Sequence, residues 1–92
     1  MAKKSDFPIV DFSQDELKEF HKLVGKNVGK IRRDKNFSQL DLSHLIGCSS
    51  VSLISGAEVS FKAVKFNLDH LYKIAKVLEV DICEFFKPIP QN

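Results

Sequence analysis

Residues that can start a helix recur four times along this sequence of 92 residues, and their spacing leaves little room for long β-strands. The four polar residues are Ser13, Ser38, Asn67 and Asp81. Each side chain can accept hydrogen bonds from the free amides of a helical first turn. An apolar residue precedes each one and another follows it four positions later, which packs the start of the helix. We therefore expect helices to begin at all four positions.

Apolar residues continue these starts at intervals of three or four, as expected for a helix with one buried face. The first predicted stripe contains Leu17, Phe20, Val24, Val28 and Ile31. The stripe after Asn67 contains Leu68, Leu71, Ile74, Ala75 and Leu78. Asn36 predicts the end of the first helix, because asparagine tolerates the left-handed backbone that terminates helices.

Two shorter helices are predicted between these stripes. The buried face of the second helix consists of Leu42, Leu45 and Ile46. Gly47 predicts its end, since glycine allows the chain to turn sharply. The third helix is expected to begin at Ser49 or Ser50 and to be weak, because Gly56 lowers helix stability relative to alanine.

These elements define one domain. We expect an all-α fold of five helices over residues 13–87, with an N-terminal arm over residues 1–12 and a C-terminal tail over residues 88–92. No long strand-like alternation is present, although residues 59–66 are partly apolar and can run extended.

Composition excludes several classes of protein. Hydrophobic residues make up 43% and charged residues 28%, which are ordinary values for a soluble domain. The sequence has no apolar run long enough to span a membrane and no signal peptide, so we expect a cytoplasmic protein. No nucleophile, base and orienting group occur at a recognisable spacing, and no glycine-rich phosphate loop is present, so we do not expect an enzyme.

The cysteines and histidines favour structural roles. Cys48 and Cys83 are too few and too far apart for a disulfide framework, and we expect both to be small buried side chains. His21, His44 and His70 have no cysteine or paired carboxylate at the spacing of metal ligands. We therefore expect no metal and no other cofactor. The length leaves no room for an effector-binding module, so we expect no small-molecule effector either.

The net charge is only +2, but the basic residues are unevenly distributed. The first cluster contains Lys22, Lys26, Lys30, Arg32, Arg33 and Lys35. Residues 36–61 contain no lysine or arginine, and the second cluster contains Lys62, Lys65, Lys73 and Lys76. Two basic clusters around an uncharged, serine-rich segment fit phosphate contacts on both sides of a base-reading element. The alternative is that each cluster is only the solvated face of a helix.

Residues 38–49 have the layout of a helix-turn-helix. Ser43 is small enough to let two helices cross closely, and Gly47 lets the chain turn. Cys48 is placed to fill the apolar position of that turn. Gln39 lies in the first turn of its helix, where its side chain and the helix amino terminus can bond a phosphate oxygen.

Together with its flanks, this segment resembles the Xre family of bacterial and phage repressors, which have the lambda-repressor-like fold. The similarity covers about residues 24–86 and rests on five segments in the family's order. They are residues 28–32, 37–39, 54–58, 71–78 and 82–86. The resemblance implies a bacterial transcriptional repressor that binds double-stranded DNA sequence-specifically as a homodimer.

The resemblance also implies residue roles. Arg32 and Glu58 match an internal ion pair that ties the first helix to the recognition helix, although Arg32 could instead contact a phosphate. Gln39 matches a DNA-facing position of the family, and the residues expected at the DNA groove are Ser49, Ser50, Ser52 and Ser55. Contacts to the DNA backbone are expected from Arg33, Lys35, Lys62 and Lys65.

The chain departs from the family pattern in its recognition segment. The stretch from Gly47 to Ile54 is one residue longer than usual, so two registers of the base-facing positions, one residue apart, fit the family pattern. The segment has no arginine, lysine, asparagine or glutamine, the side chains best suited to bidentate base contacts. Specificity would then depend on DNA shape, on bridging water or on a second subunit.

Two alternatives stay open at this point. The same scaffold can serve as a protein-interaction module, such as an antitoxin or an accessory subunit, with weak or no direct base readout. The apolar ends of the chain, residues 7–12 and 85–90, can either fold back onto the core or form a homodimer interface.

Overall fold

The computed structural model describes residues 10–90, and this part of the chain is all-helical. Its α-helices are α1 (Gln14–Asp34), α2 (Gln39–Leu45), α3 (Ser52–Val59) and α4 (Leu68–Leu78). Short 3₁₀ segments follow α3 and α4, at Phe61–Ala63 and Ile82–Phe86. The all-α prediction is therefore confirmed for these residues. The predicted fifth helix is a 3₁₀ helix, and a further 3₁₀ turn occurs within residues 59–66, which the sequence allowed to run extended.

Parts of the predicted terminal segments lie outside the described residues. These are residues 1–9 of the N-terminal arm, including its apolar residues 7–9, and residues 91–92 of the tail. At the other end, the side-chain amide of Asn27 in α1 donates to the carbonyl oxygens of Phe85 and Lys87, at 3.0 Å and 2.8 Å. Phe85 is fully buried. The segment around Phe85 therefore folds back onto α1.

All four predicted helix starts are confirmed by hydrogen bonds. Ser13, Ser38 and Asn67 each accept a bond from the backbone amide three residues later, at 2.8–3.0 Å. Asp81 accepts from the amide of Cys83 at 2.8 Å, and this bond lowers the pKa of its carboxyl. At Asn67 the bond is reciprocal, because the backbone amide of Asn67 donates to the ring Nδ1 of His70 at 3.1 Å.

Replacing Asn67 by alanine is expected to destabilise the protein by about 1 kcal/mol, since the first turn of α4 loses its acceptor. In a domain of this size, this lowers the melting temperature by about 4–8 °C. Thermal unfolding followed by circular dichroism measures the shift. Lys73→Ala, at an exposed position of the same helix, is the control. Its free energy of unfolding should stay within about 0.5 kcal/mol of the wild-type value. Equal melting of the two variants would contradict the capping role.

The third helix begins later than predicted. It starts at Ser52 instead of Ser49 or Ser50, and its N-cap position is occupied by Val51, which makes no side-chain cap. The delay follows from the turn after α2. Gly47 has a left-handed φ of 86°, and the amide of Cys48 reaches back to the carbonyl of Ser43 at 2.8 Å. This helix-ending arrangement places the following residues in a turn.

Buried side chains from all four α-helices, from the last 3₁₀ helix and from two positions next to α2 and α4 form one core. They are Val24, Val28, Leu42, Ile46, Ile54, Ala57, Phe66, Leu71, Ile74, Ala75, Leu78 and Phe85. α1 packs mainly against α3 and the 3₁₀ helix Ile82–Phe86. No helix among residues 10–90 is both long enough and apolar enough to cross a membrane.

Several residues predicted to be buried are exposed. Leu17 and Phe20 lie on the part of α1 that precedes Val24, the first residue of α1 in the core. Leu45 is 58% exposed, because the buried face of α2 is centred between Leu42, Ser43 and Ile46 and Leu45 lies to one side of it.

The prediction of buried cysteines is wrong for Cys83. Cys83 is exposed because its short 3₁₀ helix turns Phe85 toward the core. Cys48 is partly buried and packs against the core, as expected for the apolar position of the turn.

α1 and α3 cross in close contact at Gly25. A β-carbon at this position would overlap the carbonyl oxygen of Ala57 and would lie 3.1 Å from its carbonyl carbon. One turn later, a β-carbon at Gly29 would lie 3.1 Å from the carboxyl group of Glu58. The two glycines therefore set how closely the C-terminal end of α3 approaches α1.

Candidate nucleic-acid interface

Arg32, Glu58 and Gln39 form a polar network, which we call the Arg32 network; Arg32 and Glu58 are buried and Gln39 is partly exposed. The guanidinium of Arg32 bonds both carboxylate oxygens of Glu58, at 2.7 Å and 3.0 Å. Its third bond, of 2.8 Å, goes to the backbone carbonyl of Phe37. Arg32 is 8% exposed and Glu58 is 7% exposed. The ion pair thus connects the end of α1 to the end of α3, and the bond to Phe37 extends this link to the turn before α2.

Gln39 belongs to this network. Its amide nitrogen donates to Glu58 Oε1 at 2.9 Å, so the side chain predicted to meet a phosphate is engaged inside the protein. An amide nitrogen carries two hydrogens, and one of them is left for another acceptor. The network therefore orients the side chain of Gln39 at the start of α2. This contact between Gln39 and Glu58 was not predicted from the sequence.

The serines predicted to face DNA lie together around the start of α3. Ser49, Ser50 and Ser52 are exposed, and Ser55 is partly exposed. Ser50 accepts a bond from the amide of Ser52 at 3.3 Å, and the hydroxyl of Ser55 donates to the carbonyl of Ser52 at 3.4 Å. The buried residues of α3 are Ile54, Gly56, Ala57 and Glu58. We call the exposed side the serine face.

A groove runs along α1 beside the C-terminal end of α3. It has a volume of about 650 Å³, and both Gly25 and Gly29 line it. Its basic residues are Lys22, Lys26, Lys30 and Arg33, which we call the α1 row. Glu58 and Val59 lie on the α3 side. Of this row, only Arg33 was predicted as a site residue.

A second groove, of about 620 Å³, lies between the N-terminal half of α1 and the loop after α3. Its basic residues are Lys18, Lys22, Lys62 and Lys65. Partial burial lowers the pKa of His21, and the nearby charge of Lys65 lowers it further, which is consistent with the loop lying against α1. Glu19 is the acidic residue that lines this groove. Lys22 and Val59 line both grooves, so the two grooves are neighbours.

The loop reaches α1 through an unusual backbone path. Ser60, Lys62 and Ala63 have positive φ values of 55°, 49° and 61°. This left-handed path, in place of an extended one, brings Lys62 and Lys65 into the second groove beside α1. The ammonium group of Lys62 lies 5.3 Å from the centre of the Phe61 ring, where the cation and the ring attract each other.

The residues predicted to contact the DNA backbone thus lie at separate places on the protein surface. Arg33 lines the first groove, and Lys62 and Lys65 line the second. Lys35 is exposed at the C-cap of α1 and lines neither groove. The lysines of the α1 row belong to the first basic cluster of the sequence but were not among the predicted site residues. Their spacing of four residues, with glycines on the same helical face, was the signal that could have identified them.

The described part of the chain contains no group of three or more His, Cys, Asp or Glu side chains that could hold a metal ion. A scan against protein-family models finds no match to this chain, and a search of curated proteins finds none either.

Proposed function

We propose that this protein is a helix-turn-helix transcriptional repressor of the lambda-repressor-like type, which binds double-stranded DNA in the bacterial cytoplasm. The observation that carries the proposal is the arrangement of α2 and α3. A glycine turn joins these helices, the start of α3 presents the serine face to solvent, and basic side chains lie on neighbouring surfaces. In this interpretation α3 is the recognition helix.

The proposed mechanism divides the contacts into two kinds. The start of α3 enters the major groove, where the hydroxyls of Ser49, Ser50, Ser52 and Ser55 bond base edges. Arg33, Lys35, Lys62 and Lys65 neutralise phosphates, and the remaining amide hydrogen of Gln39 can bond a phosphate oxygen. The Arg32 network has a structural role, since it holds the end of α3 against α1 and the start of α2.

Serine hydroxyls both donate and accept, so they discriminate poorly between base pairs. We therefore propose that much of the specificity comes from DNA shape and from pairing of two subunits on two half-sites. A homodimer of this kind contacts half-sites about one helical turn apart, or about 34–36 Å. Exposed apolar residues on the N-terminal half of α1 and just before it, Phe12, Leu17 and Phe20, offer a surface for the second subunit.

A salt titration tests DNA binding. The logarithm of the association constant should fall linearly with the logarithm of salt concentration, and Lys62→Gln combined with Lys65→Gln should reduce the slope by about 1.8. Fluorescence anisotropy with a duplex chosen by in vitro selection provides the measurement. The structure separates Lys73 and Lys76 from the rest of the second basic cluster, because they lie on α4 and line neither groove. Replacing both by glutamine removes the same charge and should leave the slope nearly unchanged. Absence of duplex binding by the wild type at low salt would refute the proposal.

A protein-interaction module, such as an antitoxin or accessory subunit, is the second candidate. It is favoured by two apolar side chains near the end of α3, Val59 and Phe61, which are 69% and 59% exposed. Retention on heparin at moderate salt, together with binding to random duplex, would favour the repressor. Passage through heparin without retention would favour the interaction module.

A further inference from the structure

The four basic side chains of the α1 row follow one another along α1 and line the first groove. Its members lie four, four and three residues apart, on one face of the helix. At about 1.5 Å of rise per residue, the row is about 16 Å long. Gly25 and Gly29 line the same groove, and because they carry no side chains the C-terminal end of α3 approaches α1 closely beside the row.

The acidic residues near the row do not neutralise all of it. Glu58 lines the groove, but Arg32 and Gln39 occupy both of its oxygens. Asp34 lies 3.2 Å from the ammonium of Lys30 in an exposed ion pair. Within the described part of the chain, Lys22 and Lys26 form no ion pair. These two lysines are therefore available to a ligand.

The row also joins residues that already have a proposed role. At one end it includes Arg33, and at the other Lys22 also lines the second groove with Lys62 and Lys65. Glu58 connects the groove to the start of α2, because it accepts a bond from Gln39. A ligand that contacts Arg33 and Lys62 at the same time would pass along the row.

A linear polyanion fits this surface. One DNA strand carries a phosphate about every 3.4 Å along the helix axis, and these phosphates wind around the axis, so a row of about 16 Å can contact more than one phosphate of a strand. We propose that the α1 row binds the phosphodiester backbone of DNA beyond the part met by α2 and α3, and forms a continuous track from Arg33 to Lys62 and Lys65. This inference rests on the proposed DNA-binding function and adds Lys22 and Lys26 to the residues that contact DNA.

The test measures the affinity of a double variant, Lys22→Gln combined with Lys26→Gln, and of the wild type for two duplexes. One duplex spans about one helical turn of about 10 base pairs and carries the selected half-site, and the other extends it on both sides to about three turns. On the long duplex, the variant should bind about tenfold or more weakly at about 0.1 M salt, with the salt slope reduced by about 1.8. On the short duplex it should bind nearly as wild type does.

Two further variants separate the track from general charge and folding effects. Of the second basic cluster, Lys73 and Lys76 lie on α4 and line neither groove. Lys73→Gln combined with Lys76→Gln removes the same charge away from the track and should retain wild-type binding to both duplexes. Lys22→Arg with Lys26→Arg keeps the charge and should restore binding to the long duplex. All four altered side chains are exposed, so the melting temperatures should stay near that of wild type.

The outcomes distinguish this inference from the proposed function. If wild type binds no duplex, the proposed function fails and the track fails with it. If wild type binds but the Lys22 and Lys26 variant keeps its affinity and salt slope on the long duplex, the track alone is wrong. An equal loss in the α4 control would also reject it. A competition experiment distinguishes DNA from an acidic protein as the ligand of this surface. If polyglutamate displaces bound DNA at a lower concentration of negative charges than unlabelled duplex does, the ligand is an acidic protein and the proposal is wrong.

Discussion

Replacing Gly25 by alanine is expected to destabilise the protein by about 3 kcal/mol, because the new methyl group overlaps the backbone of α3. The obstacle is the carbonyl oxygen of Ala57, which belongs to a helix and cannot rotate away as a side chain would. α1 and α3 must therefore separate, which opens the core around Val28 and Ile54. A loss of stability would be informative, because alanine within a helix is normally more favourable than glycine by about 1 kcal/mol.

Urea unfolding followed by circular dichroism measures this loss, and thermal melting should show a decrease of about 4–8 °C for each kcal/mol. Lys26→Ala is the matched control, because it lies next to Gly25 on α1 but is exposed, and it should change stability by about 0.5 kcal/mol or less. If Gly25→Ala were as stable as wild type or more stable, the close crossing of α1 and α3 would be wrong.

Replacing Arg32 by alanine is expected to cost about 3–5 kcal/mol, since it leaves the carboxylate of Glu58 buried with only Gln39 as a partner. Small domains are stable by only about 5–15 kcal/mol, so this change removes a large share of the total. The carbonyl of Phe37 also loses its donor. We expect a much lower urea midpoint and, where the variant still folds, a less ordered end of α3.

Arg33→Ala is the control for charge, because Arg33 is the exposed neighbour of Arg32 and its removal should have little effect on stability. A second comparison uses Arg32→Ala combined with Glu58→Ala. This pair should lose less stability than the sum of the two single variants, because no unpaired charge stays buried. Similar unfolding curves for Arg32→Ala and Arg33→Ala would show that the ion pair has no structural role.

The starts of α1, α2 and α4 could be predicted from the sequence because capping is a local interaction. Ser13, Ser38 and Asn67 accept bonds from amides only three residues away, so neighbouring residues are sufficient to identify them. The start of α3 was placed wrongly because several serines compete for the same role. Its actual start after Val51 allows Ile54 and Ala57 to face the core, which is a requirement of packing and not of capping.

The candidate interface could be predicted only in part. The serine face and the basic clusters are visible in the sequence, and the resemblance to repressors suggested Arg32 and Glu58 as a pair. The contact of Gln39 with Glu58 joins residues 19 positions apart and has no sequence signal of its own. The approach of Lys65 to α1 depends on left-handed backbone at Ser60, Lys62 and Ala63, none of which is the glycine that would indicate such a turn.

By itself, the sequence determined the helical class of this protein, the residues at which most helices begin and the turn at Gly47, because these depend on hydrogen bonds between near neighbours. The tertiary structure decided which apolar residues are buried, how closely α1 meets α3 at Gly25 and which lysines share a groove. The physical reason is that burial and charge grouping depend on residues far apart in the chain, and their positions are set only when the helices pack.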